Sequence, residues 1–255
     1  MTLIITPIYG LPIFSKGDNL TAYLLQAIKD NNIDLLNGDI LVIAQKIISK
    51  VEGRLINLSE VVPSDKAVEI AHIVEKDPRF VECVLGESKK IIRCRPGILI
   101  VEHNLGFICA NAGIDHSNVK GPYGQNEDWV LLLPKNPDRS AENIRNEMEE
   151  KTNVKLGVLI IDSHGRAWRM GIVGTTIGVS GIPGLVDKRG EVDLFGYKLK
   201  VTQIAAADEL AAAASLMMGQ AAEGVPAVHV RGFPYPLRNS YLSELIRPEN
   251  QDLFR

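Results

Sequence analysis

Asp115 and Asp162 are the residues of this sequence best suited to chemistry. Asp115 lies in Asn111-Ala112-Gly113-Ile114-Asp115-His116-Ser117-Asn118, which sets one carboxylate and two carboxamides around a glycine, just after an apolar run over 106–110. Asp162 follows a second apolar run, Leu156-Gly157-Val158-Leu159-Ile160-Ile161, and opens Asp162-Ser163-His164-Gly165-Arg166. Read as two polar clusters at the ends of buried strands, they supply what a hard divalent cation needs, because carboxylate and hydroxyl oxygens suit magnesium or manganese. Either cluster alone reads equally as a turn in which Asp and Asn satisfy their own backbone.

Cations stand elsewhere in the chain. Gln45-Lys46 and Ser49-Lys50-Val51-Glu52-Gly53-Arg54 directly follow the apolar run Ile40-Leu41-Val42-Ile43-Ala44. Lysines there could hold phosphate oxygens as point charges, or they could belong to a solvated basic turn. Gly171, Gly174, Gly178, Gly181 and Gly184 lie among β-branched residues. Their backbone amides could face an anion, or the glycines could mark a bulged, closely packed strand pair. The stretch Met218-Gly219-Gln220-Ala221-Ala222-Glu223-Gly224-Val225 reads as a C-capping loop between helix and strand.

The elements that must position these groups follow from periodicity. Strands are expected at residues 3–5, 40–44, 98–101, 107–110, 129–133, into Asp162, and through Val228 and Val230. Helices are expected from about Asp18, after Pro63-Ser64 with Ala67, Ile70, Ala71 and Val74 on one face, from Ser140 to about Thr152, and over 208–218 with Asp208 as N-cap. A polar loop is expected over 120–128. Strands and helices without strict βαβ alternation point to an α+β or irregular mixed α/β fold, and no composition shift divides the 255 residues into separate domains.

Composition narrows the function classes. With 45% hydrophobic and 23% charged residues and a net charge of −3, the chain reads as globular and unsuited to wholesale electrostatic binding of nucleic acid. Its three cysteines form no CxxC pair, which fits a reducing, cytoplasmic setting. No basic leader precedes the first apolar stretch, and no apolar run approaches membrane-spanning length. A P-loop, a Gly-x-Gly-x-x-Gly fingerprint, a Gly-x-Ser-x-Gly elbow and a zinc-type histidine pattern are all missing from the sequence.

The segments also occur in a familiar order. They are Gly10-Leu11-Pro12, Ile48-Ser49-Lys50-Val51-Glu52-Gly53-Arg54, Asn111-Ala112-Gly113-Ile114-Asp115, Ser117-Asn118, Ile161-Asp162-Ser163, Ile177-Gly178-Val179-Ser180-Gly181, Leu216-Met217-Met218-Gly219, and Gly224-Val225-Pro226-Ala227-Val228. In this order the chain resembles the coenzyme F420 gamma-glutamyl ligases, which add glutamate to the F420-0 precursor. The resemblance implies the mixed α/β fold of that family, an intertwined homodimer with its site in a groove, and GTP- and metal-dependent amide formation through an acyl phosphate.

The same resemblance implies residue roles. Asp115 and Asp162 become ligands of magnesium or manganese, with Ser163 and Gln220 beside a second ion and a monovalent cation such as K+ alongside. Gly10, Leu11, Pro12, Gln45, Lys46, Lys50, Asn118 and the loop Met218, Gly219, Gln220, Ala221, Ala222, Glu223, Gly224 and Val225 become GTP contacts. F420-0 and L-glutamate become the substrates, with no covalent nucleophile. The chain departs from the family pattern at Gln220, where relatives carry an acid, so Glu223 is an alternative ligand. It departs again at Gln45-Lys46, where relatives carry small hydroxyl residues. Two rivals remain: a non-catalytic module that holds metal and nucleotide, and a related amide ligase acting on a different carboxylate.

Overall fold

The structure is a computed structural model that describes residues 2–121 and 128–252. Most of the expected polar loop over 120–128 lies outside these residues. The strands are β1 (Ile4–Pro7), β2 (Ile40–Ala44), β3 (Leu55–Asn57), β4 (Ser88–Arg95), β5 (Ile98–His103), β6 (Ile108–Ala110), β7 (Trp129–Leu131), β8 (Gly157–Arg166), β9 (Arg169–Ser180), β10 (Val186–Asp187), β11 (Gln203–Ile204) and β12 (Ala227–Arg231). The helices are α1 (Leu20–Asp30), α2 (Gln45–Val51), α3 (Asp65–Val74), α4 (Pro78–Gly86), α5 (Pro137–Thr152) and α6 (Ala206–Met218). This is a mixed α/β architecture, as the irregular alternation of patterns implies.

The central sheet runs β1-β12-β2-β8-β9, with β2 and β8 parallel and every other pair antiparallel. Both of its faces are covered, which is why β2 is apolar throughout. Leu41 and Ile43 pack on one side with Leu24, Ile28, Ile144 and Met148 of α1 and α5. Ile40 and Val42 pack on the other with Leu210, Ala211 and Ala214 of α6. A second layer is built on the sheet β4-β5-β6, whose Leu99 and Val101 meet Ala67, Ile70, Ala71 and Val74 of α3 and Phe80, Val81 and Val84 of α4. Ser64 caps α3, its hydroxyl accepting from the Ala67 amide at 3.2 Å, as expected.

Several expectations give way to the structure. Residues 45–51 are a helix, so the lysines after β2 do not sit on a turn. Asp208 lies inside the first turn of α6; Ala205 occupies the cap position, and the Asp208 carboxylate instead accepts from Thr176 N on β9 at 2.9 Å. Helix α5 begins at Pro137 with Asn136 as its cap, one turn before Ser140. β8 does not end at Asp162 but continues to Arg166, paired with β9 along its length. Two closely packed glycines explain part of the glycine series. A side chain at Gly174 would strike Ala211 O and Ser215, and one at Gly178 would strike Pro137, so β9 can approach α6 and α5 only with glycine there. No helix among the described residues is long and apolar enough to cross a membrane.

Candidate active site

Beyond the ends of β2 and β6, and along β8, a cleft of about 1200 Å³ opens. This is ample for a nucleotide-sized ligand, since small-molecule pockets run to roughly 300–1,000 Å³. It gathers nearly every residue singled out from the sequence: Leu11, Pro12, Gln45, Lys46, Lys50, Asp115, Asn118, Asp162, Ser163 and the whole loop from Met218 through Val225. Gly10 does not line it; its φ of 83° belongs to the turn that brings Leu11 and Pro12 there.

Asp115 is fixed by its backbone, which exchanges two hydrogen bonds with Leu131 at 3.0 and 2.9 Å. Its carboxylate is grasped by α2: Gln45 Nε2 donates at 2.7 Å and Lys46 Nζ lies 2.9 Å away. Gln45 is itself buried and accepts from Ser49 Oγ at 2.9 Å, so the helix presents the amide in one orientation. Burial pushes the Asp115 carboxyl above the ordinary carboxylate range. The nearby Asp162 charge pushes the same way, against the pull of Lys46.

Lys46 and Lys50 are four apart on α2 and therefore share a face. That face turns to the loop after Asp115: Lys46 donates to Ser117 O and Oγ at 3.2 Å, and Lys50 to Asn118 O at 3.1 Å. Burial lowers the Lys50 pKa, and repulsion from Lys46 lowers it further. Asn118, at φ 57°, passes the chain onward by donating from Nδ2 to Ala221 O at 2.9 Å. The α2 helix, the acid loop and the loop after α6 thus form one bonded wall.

Strand alternation sends Asp162 and His164 to one side of β8 and Ser163 to the other. His164 Nε2 sits 3.1 Å from Asp162 Oδ2, and its ring packs on Phe107, which stacks in turn on His103. Ser163 Oγ donates to Gln220 Oε1 at 2.8 Å. Glu223 is engaged by its own loop: its carboxylate folds over Gly219 and accepts the Ala221 amide at 2.8 Å.

Among the described residues no three His, Cys, Asp or Glu side chains converge to hold a metal. The available donors are two carboxylates, a hydroxyl and an amide carbonyl, all hard oxygens. Such a set fits magnesium or manganese completing its shell with water or phosphate, and two carboxylates confined together gain from a divalent charge between them. Cys109 is also in the wall, where burial pushes its thiol up to about 12 and so disfavours the reactive thiolate. His164 and Arg166, from the cluster that Asp162 opens, also line the cleft, as does Arg93, which nothing in the sequence singled out. Arg93 lies on a strand whose irregularity no local pattern reveals.

Comparison with known proteins gives the same direction. The family model described as F420-0:Gamma-glutamyl ligase matches residues 10–232. A protein named coenzyme F420:L-glutamate ligase from Methanothermobacter thermautotrophicus is 46% identical over 248 residues, covering 96% of each chain. Proteins of the same name from Methanocaldococcus jannaschii and Archaeoglobus fulgidus are 46% and 40% identical over 246 and 255 residues, covering 96% and 100% of this chain and 94% and 97% of theirs. With the match spanning every wall of the cleft except its last lining residue, Asp252, the chain belongs to the F420-0:gamma-glutamyl ligase family.

Proposed function

We propose that this protein ligates L-glutamate to coenzyme F420-0 at the expense of GTP. The observation that carries the reading is the opposition, within one cleft, of the carboxylates Asp115 and Asp162 to the lysines Lys46 and Lys50. A carboxylate does not acylate an amine unaided. Transfer of the terminal phosphoryl group of GTP to a carboxylate oxygen of F420-0 releases GDP and leaves an acyl phosphate. The amine of glutamate then attacks the acyl carbon, forms the amide, loses a proton and expels phosphate. Positioning and electrostatics suffice for such transfers, and no covalent enzyme intermediate is required.

In this reading Lys46 and Lys50 hold phosphate oxygens, and Asn118 keeps the loop from Met218 to Val225 against the nucleotide. Asp115, Asp162, Ser163 and Gln220 would hold magnesium or manganese, which when bound neutralises phosphate charge and aligns the transfer. Gln45 orients Asp115 and draws its charge toward α2. The names of the relatives support the choice of substrates. A homodimer belongs to the same proposal, because the segment around β10 and β11 exposes Leu194 and Phe195 at 97% and 95%, an arrangement that calls for a partner surface.

The test is mass spectrometry of F420-0 incubated with protein, GTP, magnesium and glutamate. The expected result is F420-0 extended by a glutamyl residue, with GDP and phosphate formed in equal amounts. Binding of GTP and F420-0 without product would instead favour the non-catalytic module.

A further inference from the structure

Arg93 occupies an unusual position in the cleft wall. Along β5, Leu99, Val101 and His103 are buried while Ile98, Ile100 and Glu102 are half-exposed. The first two enter the core beneath α3 and α4, leaving Ile100 on the face that borders the cleft. Arg93 stands directly across from Ile100, and Ile100 directly across from Ala110. Residues opposite one another in an antiparallel ladder project to the same face, so the three form one row.

Between Ile91 and Arg93 the register of β4 shifts, and both Ile92 and Arg93 reach the cleft. Regular alternation would have sent these neighbours to opposite faces; the irregularity re-aims one of them. Arg93 makes no hydrogen bond or ion pair among the described residues. By contrast, Arg54, Arg79, Arg231 and Arg238 each hold a carboxylate. A guanidinium with no acceptor among the described residues, across from Ile100 in a cleft that Ile92, Ile108 and Ile172 also line, offers a planar fork of donors to a carboxylate or phosphate near an apolar surface.

We propose that Arg93 binds an anionic group of the acid substrate while the isoleucines take its apolar part, an assignment that rests on the ligase reading above. The lysines of α2 already serve the phosphates in that reading. Glutamate is small and polar throughout, and would gain nothing from an isoleucine wall. A larger, partly apolar acid uses both features. Arg93 is therefore a specificity residue for the acid.

The test compares wild type with R93A and R93K. Arg93 is exposed and has no partner among the described residues, so R93A should fold normally. The KM for F420-0 should rise about tenfold or more in R93A, the scale of a lost charge-assisted contact, with the KM values for GTP and glutamate nearly unchanged. R93K should recover part of the loss, because it keeps the charge but not the fork. Calorimetric titration of F420-0 with GDP and magnesium present reads the same contact without turnover. Binding that depends on Arg93 in a protein that forms no product would count against the ligase reading alone. Equal binding by wild type and R93A, or a rise confined to the KM of glutamate or GTP, would overturn the assignment of Arg93.

Discussion

Gln220 and Glu223 lie three residues apart on one loop, yet they face different partners. Gln220 Oε1 meets Ser163, whereas the Glu223 carboxylate is held by the backbone amides of its own loop, Ala221 first, which keep its pKa below the ordinary value. A neutral carbonyl attracts a divalent ion less than a carboxylate does. Gln220→Glu should therefore lower the magnesium concentration for half-maximal activity by about tenfold, while Glu223→Gln should leave it unchanged. An activity titration against magnesium checks both. At this scale the sequence was informative about Asp115 and Asp162, which it set apart and which the fold brings to one cleft. It was less so where motif residues turn out to be structural. Arg54 donates to Leu133 O at 2.9 Å and pairs with Glu87, and Glu52 accepts from Ser140 and Lys135; both tether α2 rather than touch the cleft. Pattern alone does not separate these roles, because both kinds of residue are polar and both stand beside a strand end.

Helix α2 shows what periodicity leaves out. Seven residues are too few for an apolar stripe to declare itself, and its buried positions include Gln45 and Ser49, so the segment reads as a polar turn. What makes it a helix is tertiary: Ile47 and Ile48 enter the core with α1 and the central sheet. β2, by contrast, was legible to its ends because five consecutive apolar residues permit little else. The far end of that strand carries a different polar device. Asp39 is buried and accepts from Arg231 Nε at 2.9 Å and Nη2 at 2.7 Å, with His229 Nε2 2.8 Å away. Burial pushes its carboxyl up, but the bonds from Arg231 and the close approach of His229 outweigh it and hold the pKa below the ordinary value. A depressed carboxyl contributes stability that is present above its unfolded pKa and is lost as pH falls through the folded one. Asp39→Asn should cost about 3 kcal/mol near neutral pH, and the difference from wild type should shrink in acid below the ordinary carboxylate range. Urea unfolding at several pH values measures this. A loss independent of pH would mean that shape rather than charge matters at Asp39.

At the scale of the whole molecule, the irregular alternation of strands and helices indicated a mixed α/β chain but not its sheet order, because nothing local specifies that β2 lies between β12 and β8. The cleft is likewise a product of topology: it needs α2, the loop before β7 and the loop after α6 brought together from three distant parts of the chain. Exposed Leu194 and Phe195 lead us to expect a dimer by light scattering at micromolar concentration, and Leu194→Asp with Phe195→Asp should shift it toward monomer. A wild-type protein that stays monomeric would remove the dimer from the account. We propose that this cleft activates a carboxylate by phosphorylation before joining it to glutamate. The decisive experiment incubates F420-0, labelled with heavy oxygen in the reacting carboxylate, with protein, GTP, magnesium and glutamate. One labelled oxygen from each ligated molecule should then appear in inorganic phosphate. Amide product accompanied by unlabelled phosphate would contradict it.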